Sequence, residues 1–366
     1  MDSHRWQNVL VLQTSFLGDT VLTYPLLSEI KLRFPTAKLS VLCSPLSKEL
    51  LQDSPDIDEV IVDDKKGADK GLLGLWRKSR ALKSMSFTMA LTPHKSLRSA
   101  LMLYLARIPF RVGFRQSKGW FLFHARVERD PGRHDVERNL SLLQAFGVRP
   151  EQCQRSLHLT VNPSVEQAVM ERLRSWGVDP DRLLIGINPG SIWATKRWSA
   201  EGYARAINLI KNNYDCDVLL FGGPDDASVV REIQDLCGAA TVNLAGKLSL
   251  RELPFALGLC RVLVTNDSAP MHIAVARDVP TVAIFCATTP ALGFYPYSTR
   301  SIVLEKTLPC RPCGSHGGRR CPLGTEDCIR LISPEHVFRA VERLLERKRG
   351  MPTARPHVFK PEFVSV

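Results

Sequence analysis

Val262-Leu-Val-Thr-Asn-Asp-Ser-Ala-Pro-Met-His-Ile-Ala-Val-Ala276 reads as a buried strand that turns abruptly into a helix. Val262 to Val264 is apolar and β-branched, Asn266-Asp267-Ser268 offers N-cap chemistry, and Pro270 stands where a first helical turn has no use for an N–H. Such a junction leaves backbone N–H groups at the carboxyl end of the strand. With the positive end of the helix dipole they favour an anion, above all a phosphate. Asp267 argues against a bare phosphate and for a ligand carrying hydroxyls beside its phosphates, such as a nucleotide sugar. An ordinary capped turn would read the same way over this stretch alone, so its neighbours carry the decision.

Those neighbours repeat the pattern. Strands at Val9–Gln13, Leu39–Cys43, Val60–Val62 and Thr88–Leu91 alternate with helices at Thr20–Phe34, Leu72–Lys83 and Ser96–Arg107. The pattern weakens near Pro150–Pro163 and starts again with strands at Leu183–Asn188, Val218–Phe221, Val242–Leu244, Val262–Val264 and Thr281–Phe285. Helices at Ala200–Asn213, Asp226–Cys237 and Leu250–Leu259 separate them. Strand, helix, strand alternation predicts an α/β protein with two Rossmann-like, doubly wound parallel-sheet domains, their strand ends lining a central cleft. The expected organisation is residues 1–165, residues 166–335, and a last segment 336–366 made of a helix at Pro334–Lys348 and an irregular tail after Gly350.

A chain of 366 residues suits two domains of this size, and 44% hydrophobic with 23% charged residues marks it as globular. No apolar run is long enough to span a bilayer, and Met1 to Asn8 lacks the segments of a signal peptide, so a cytoplasmic location is expected. The formal charge of +12, spread through the chain rather than gathered in one tail, favours acidic partners: nucleic acid, anionic lipid or a phosphorylated substrate. Zinc-finger, RNP and helix-turn-helix patterns are missing, which argues against nucleic acid.

Three further loops follow predicted strands. Thr14-Ser-Phe-Leu-Gly18-Asp19-Thr20 has neither G-x-G-x-x-G nor a P-loop Lys; it offers one Gly for a turn and a carboxylate at a helix start. Asp19 there either serves as a general base on a hydroxyl or simply caps the helix. In Ile187-Asn188-Pro-Gly190-Ser191-Ile-Trp-Ala-Thr195-Lys196-Arg197-Trp198, Gly190 and Ser191 bring amides close to an anion and Lys196 and Arg197 add charge, while Trp193 and Trp198 suit packing better than base stacking. A Lys aimed at a leaving diphosphate stabilises its developing charge. Phe221-Gly222-Gly223-Pro224-Asp225-Asp226 ends another strand in acid, placed for ribose hydroxyls or for an N-cap. Anion-binding features therefore crowd the second half and a candidate base sits in the first, the division a transferase needs.

With these residues in view the chain resembles the glycosyltransferase family 9 heptosyltransferases, which build the inner core of lipopolysaccharide. The matching motifs are T-S-F-L-G-D-T at 14–20, N-P-G-S at 188–191, T-K-R-W at 195–198, F-G-G-P-D-D at 221–226, L-A-G-K at 244–247 and T-N-D-S-A-P-M-H at 265–272. The resemblance implies a GT-B fold, ADP-L-glycero-D-manno-heptose as donor, inversion at the anomeric carbon, and no metal or other cofactor in catalysis. It implies Asp19 as the base and Lys196 facing the departing diphosphate, with Gly190, Ser191 and Thr195 nearby. Asp225 would lie near the ribose, and Asp267, Ser268, the amide of Ala269 and His272 near the heptose and phosphates. Family members often carry Gly where Ala269 stands, which leaves the depth or identity of the sugar open.

The same resemblance puts the acceptor, a lipid A–Kdo core, on the first domain, with Gly18, His94, Lys95, Arg98 and Arg115 as its contacts. His134-Asp-Val-Glu-Arg-Asn139 is similar to a family segment. A lipid acceptor together with the basic charge implies peripheral contact with the inner face of the plasma membrane. Six cysteines (Cys43, Cys153, Cys216, Cys237, Cys260, Cys286) are scattered singly and read as reduced core residues. The other four, Cys310, Cys313, Cys321 and Cys328, admit three readings: a structural zinc knuckle with His316 as a spare ligand, reduced loop thiols, or regulatory disulfides. Rival functions are a nucleotide-sugar epimerase or hydrolase on this fold, and a nucleotide-sugar-binding protein without transfer.

Overall fold

Parallel strands need long crossovers, and the helices between successive apolar runs supply them. The computed structural model describes residues 6–347 and 359–366, and the chain divides into two units, Met1–Thr160 and Val161–Val366. The first runs β1 (Asn8–Gln13), α1 (Leu17–Val21), α2 (Tyr24–Arg33), β2 (Lys38–Cys43), α3 (Pro45–Leu51), β3 (Glu59–Val62) and α4 (Gly71–Ser84). It continues through β4 (Met89–Thr92), α5 (Leu97–Leu105), β5 (Phe110–Phe114), β6 (Ala125–Val127) and α6 (Asp135–Leu140). All its strand pairs are parallel, in the order β3-β2-β1-β4-β5-β6. That is the Rossmann order, whose direction reverses between β1 and β4. Leu10, Leu12, Leu42 and Ala90 meet Leu75, Leu82, Met102 and Leu103 in its core.

The second unit runs α7 (Pro163–Ser175), β7 (Leu183–Asn188), α8 (Ala200–Asn213), β8 (Cys216–Leu220), α9 (Ala227–Leu236), β9 (Val242–Asn243) and α10 (Leu253–Gly258). After these come β10 (Val262–Asn266), α11 (Ala269–Ala276), β11 (Thr281–Phe285), β12 (Ser301–Glu305), α12 (Asp327–Arg330), α13 (Pro334–Glu346) and β13 (Glu362–Ser365). Its sheet is β13-β12-β11-β10-β7-β8-β9, again parallel throughout, and reverses between β7 and β10. Helix α13 shows how the sequence sets the packing. Ser333 caps it through the amide of His336, Pro334 opens it, and Val337, Ala340, Val341 and Leu344, one stripe at helical spacing, are buried in the core around β10 to β12.

Two doubly wound parallel sheets in one chain is the expected fold class. The single helix expected over Thr20–Phe34 is two, because Thr23 opens a new turn and Pro25 sits at the start of α2, where its missing N–H is harmless. Strands β5, β6 and β12 were not anticipated. Phe110-Arg-Val-Gly-Phe114 lies inside the stretch Arg107 to Arg115, which reads as a source of positive charge, yet Val112 and Phe114 are buried. The tail expected to be irregular after Gly350 is corrected at its end, where Glu362–Ser365 pairs in register with Ile302–Glu305 because β12 offers an unpaired edge. The segment 348–358 lies outside the described residues. Among the described residues no helix is long and apolar enough to cross a membrane.

Candidate active site

In an open parallel sheet the loops beyond the strand ends at the reversal point form the ligand crevice. In the second unit those are the loop after β7 and the junction of β10 with α11. Lys196, from the first, places Nζ 2.7 Å from Asp267 Oδ2, from the second, and both side chains are largely withdrawn from solvent. Thr288, beyond β11, donates its hydroxyl to the same carboxylate oxygen at 2.6 Å. His272, one turn into α11, is buried beside them. Burial first, then the neighbouring Lys196 charge, lowers its pKa to about 4 against the pull of Asp267, so the ring is neutral. Its Nδ1 has no hydrogen-bond partner. The structure thus brings Lys196, Asp267 and His272 together at the start of a helix whose first amides favour negative charge.

Asn266 holds the two loops in place. Its side-chain oxygen accepts from the Trp198 amide and from the Tyr203 hydroxyl, both at 3.0 Å, and its amide donates to Pro189 O at 2.7 Å. Trp198 is buried and donates its indole N–H to Ile332 O, so it packs the loop. Gly190 leaves room for a carboxylate: a Cβ there would lie 2.3 Å from Asp226 Oδ2. Asp226 meanwhile accepts from the Gly223 amide at 3.0 Å and acts as a cap, while Asp225 stays exposed. Ser191 is buried, with its carbonyl accepting from Arg197 Nε at 2.7 Å. Ser268 lies at the helix start with its hydroxyl 3.4 Å from Asn266 O, and Ala269 opens α11.

Thr195 has a different occupation. Its hydroxyl donates to Gly318 O at 3.1 Å and accepts from the Gly318 amide at 2.8 Å, and its own amide bonds the same carbonyl. It fastens the segment that carries the cysteines. Arg311, on that segment, donates to Phe285 O and Thr288 O and pairs with Glu305 at 3.2 Å. Cys310, Cys313, Cys321 and Cys328 are free thiols. Cys328 is buried in the core while Cys310 is exposed, and among the described residues no group of three or more His, Cys, Asp or Glu is arranged to hold a metal. The zinc expectation finds no support there.

In the first unit the loop after β1 and the end of β4 form the corresponding crevice. Asp19 sits in the first turn of α1 and accepts from the Phe16 amide at 3.1 Å, so the capping role is real. It remains partly accessible to solvent although crowded by protein. Burial, then the Asp135 charge, pushes its pKa up to about 6 against hydrogen bonds from Ser15 and Phe16 and the charge of Arg129. A carboxylate so tuned gives up its proton near neutrality, as a general base must. Gly18 precedes it in the same turn.

His94 Nδ1 lies 2.9 Å from Ser99 Oγ and 3.3 Å from Thr14 Oγ1, and burial with the charges of Lys65 and Lys95 lowers its pKa to about 4. Lys95 is exposed within reach of the Asp19 field, which opposes the lowering of its own pKa by burial and by Arg129. Arg98 is committed elsewhere, to Asp63 at 3.1 Å, Asp69 O at 2.8 Å and Gly71 O at 3.0 Å. Arg115 stands on the surface in a loose pair with Glu128 at 3.7 Å. His134 caps α6, and Asn139 bonds Leu22 O, so that segment braces the fold. Sequence reasoning missed Asn266, Thr288, Asp135 and Arg311. Asn266 and Asp135 lay in quoted segments without being given these roles; Thr288 and Arg311 become visible once the sheet order sets the loops after β11 and β12 beside the site.

A model of the family described as "Glycosyltransferase family 9 (heptosyltransferase)" matches residues 75–321. Among curated proteins the chain is 29% identical to lipooligosaccharide heptosyltransferase 2 of Haemophilus influenzae over 296 residues, 77% of this chain and 84% of that protein. It is 28% identical to lipopolysaccharide heptosyltransferase 2 of Escherichia coli, over 77% of this chain and 83% of that one. Among solved structures, the glycosyl transferase family 9 protein of Veillonella parvula superposes with a TM-score of 0.82 at 25% identity, covering 94% of this chain and 98% of that one. ADP-heptose lipopolysaccharide heptosyltransferase II of E. coli does so at 0.76 and 24%, over 93% and 98%, and shares the fold.

Proposed function

The chain belongs to glycosyltransferase family 9 and is a glycosyltransferase, and we propose that it moves L-glycero-D-manno-heptose from ADP-heptose to the inner core of lipopolysaccharide, as an enzyme adding the second heptose does. The observation that carries the reading is the Lys196–Asp267 pair at the start of α11, a cation and a hydroxyl-binding carboxylate where a sheet of this topology receives its ligand. The donor diphosphate meets Lys196, the Ser191 region and the first amides of α11; Asp267 takes sugar hydroxyls, neutral His272 lines the same site, and Asp225 faces the ribose. Thr195 shapes this site through the bonds of its hydroxyl to Gly318 rather than by meeting the donor itself.

The first unit receives a lipid A–Kdo–heptose acceptor beside Gly18, His94, Lys95 and Arg115, at the inner face of the plasma membrane. Asp19 takes the proton of the acceptor hydroxyl, whose oxygen forms the new bond to the anomeric carbon. The bond from that carbon to the phosphate oxygen breaks on the opposite face, ADP leaves, and configuration inverts. Lys196 neutralises the charge growing on the leaving group, work that a divalent cation does elsewhere, so the reaction runs without metal.

Incubation with ADP-heptose and defined truncated core acceptors, followed by mass spectrometry, tests this. The expected result is one added heptose per ADP released. Release of heptose without acceptor, or an epimerised donor, would establish the hydrolase or epimerase instead. ADP binding with no turnover on any acceptor would leave only a binding protein.

A further inference from the structure

Helix α4 packs through Gly74, Leu75, Ser79 and Leu82 and turns its other face outward. Leu72, Leu73 and Trp76 on that face are 81%, 82% and 55% exposed. Arg77, Arg80 and Lys83 follow on the outward side, with the Arg80 guanidinium 5.5 Å from the centroid of the Trp76 ring. A helix that is apolar at its outer start and cationic beyond it loses free energy to water unless something covers the first part.

The exposed apolar surface continues onto α5. Arg98 donates to Gly71 O and Asp69 O, which fixes the start of α5 beside the start of α4. Leu97 is 45% exposed there. The Lys118 amide bonds Lys95 O, and Gly119 presses against Ala100 and Leu97, which brings exposed Trp120 and Phe121 to the same helix end. Arg126 covers the Trp120 ring at 4.8 Å.

Charge completes the surface. Residues 65–126 hold fourteen Lys and Arg against Asp69 alone, a surplus of thirteen where the whole chain carries +12. Asp69 is buried and paired with Arg77 and Lys78. The excess read as spread through the sequence is therefore concentrated in this part of the first unit. Cations beside bulky apolar groups match the headgroup boundary of an anionic bilayer, where phosphates meet the former and acyl chains the latter. A single-stranded nucleic acid would use the exposed rings, but the two most exposed large apolar side chains, Leu72 and Leu73, have no face on which a base stacks.

We propose that the α4–α5 face of the first unit docks on an anionic lipid surface, with Leu72, Leu73 and Trp76 entering the headgroup boundary and Lys70, Arg80 and Lys83 meeting lipid phosphates. This rests on, and deepens, the reading of the acceptor as a membrane lipid.

The test is flotation of the full chain with vesicles of phosphatidylcholine alone or with about one-third phosphatidylglycerol, at low salt and at about 0.5 M salt. Binding is expected on the anionic vesicles only, weakened at least about tenfold by the salt and by L72S/L73S/W76S, whose melting temperature stays that of wild type. That variant also keeps wild-type transfer to a water-soluble core oligosaccharide. The proposal is overturned if wild type floats with neither vesicle, if the triple variant binds like wild type, or if its transfer to the soluble acceptor falls in parallel. Tight RNA binding that the same variant abolishes would overturn it too. Should vesicle binding behave as expected while no acceptor is ever glycosylated, the docking surface stands and the transferase reading falls.

Discussion

Lys196 Nζ stands 2.7 Å from Asp267 Oδ2, and the two side chains come from the loops of adjacent strands, β7 and β10, where the second sheet reverses its order. Thr288 donates to the same oxygen, so Asp267 keeps a partner when Lys196 swings to another anion. The pair is a stored cation. Under the function proposed above, an arriving diphosphate has to win it from a carboxylate, which takes an anion of comparable charge.

Lys196→Ala and Asp267→Asn are therefore expected to move ADP affinity in opposite directions. Loss of the ammonium weakens ADP and lowers kcat by roughly two to three orders of magnitude, the usual cost of one donor to a developing anion. Loss of the carboxylate's charge frees the ammonium and tightens ADP several-fold while transfer still falls. Calorimetry with ADP, beside turnover, reads both; weaker ADP binding by Asp267→Asn would remove the competition.

The Asp19 carboxyl, pushed up to about 6 mainly by burial, predicts that kcat/KM climbs through about pH 6 as the base ionises, and that Asp19→Asn abolishes the rise along with most of the rate. The folded carboxyl holds its proton more tightly than an unfolded one, with its value of 3.8, so its ionisation costs stability progressively as pH rises from about 4 to 6. Asp19→Asn should then melt on the order of a few degrees above wild type at pH 8 and level with it at pH 3.5. Equal melting at both pH values would show that burial does not strain this group.

Gly190 has to be Gly because the Asp226 carboxylate fills the place of its Cβ. Gly190→Ala is expected to cost about 1–3 kcal/mol in chemical denaturation, the usual range for overpacking. Adding Asp226→Ala should recover most of it, and a double mutant as unstable as the single one would locate the strain elsewhere.

Thr195→Val removes both hydroxyl bonds to Gly318, at about 1–3 kcal/mol, and lets the cysteine segment move away from Lys196. KM for the donor should rise more than kcat falls, and Thr195→Ser should restore both. A defect that Ser leaves uncorrected would assign the effect to the methyl group.

The thiols differ enough in depth to be told apart by a bulky thiol reagent. Exposed Cys310 should react within seconds, and buried Cys260 and Cys286 only on unfolding. Prolonged chelation should leave melting and turnover unchanged, whereas a fall in both, restored by zinc, would reinstate a metal in the loop.

The central strands were legible because they are buried on both faces and so read as unbroken apolar runs: Val9 to Leu12 and Val262 to Val264 needed no context. β5 and β13 were not, since β5 opens on half-buried Phe110 and Arg111, half the residues of β13 face water, and polar positions interrupt both runs. The same division holds for the candidate site. Lys196, Asp267 and Asp19 could be named because each follows a strand in a loop with Gly or cap chemistry. Arg98 looked equally free in sequence; that it anchors Gly71 and Asp63 follows from β3 and β4 lying in one sheet, a long-range fact that no local pattern encodes.

Both sheets share one strand plan, so the loop bearing Asp19 and the loop bearing Lys196 are topological equivalents carrying opposite charge. Duplicated scaffolds of this kind diverge independently: drift in one copy's loops leaves the other copy's chemistry intact. A hybrid gene with its crossover at Thr160 should accordingly inherit acceptor preference from one parent and sugar-nucleotide preference from the other, letting the two specificities be bred apart.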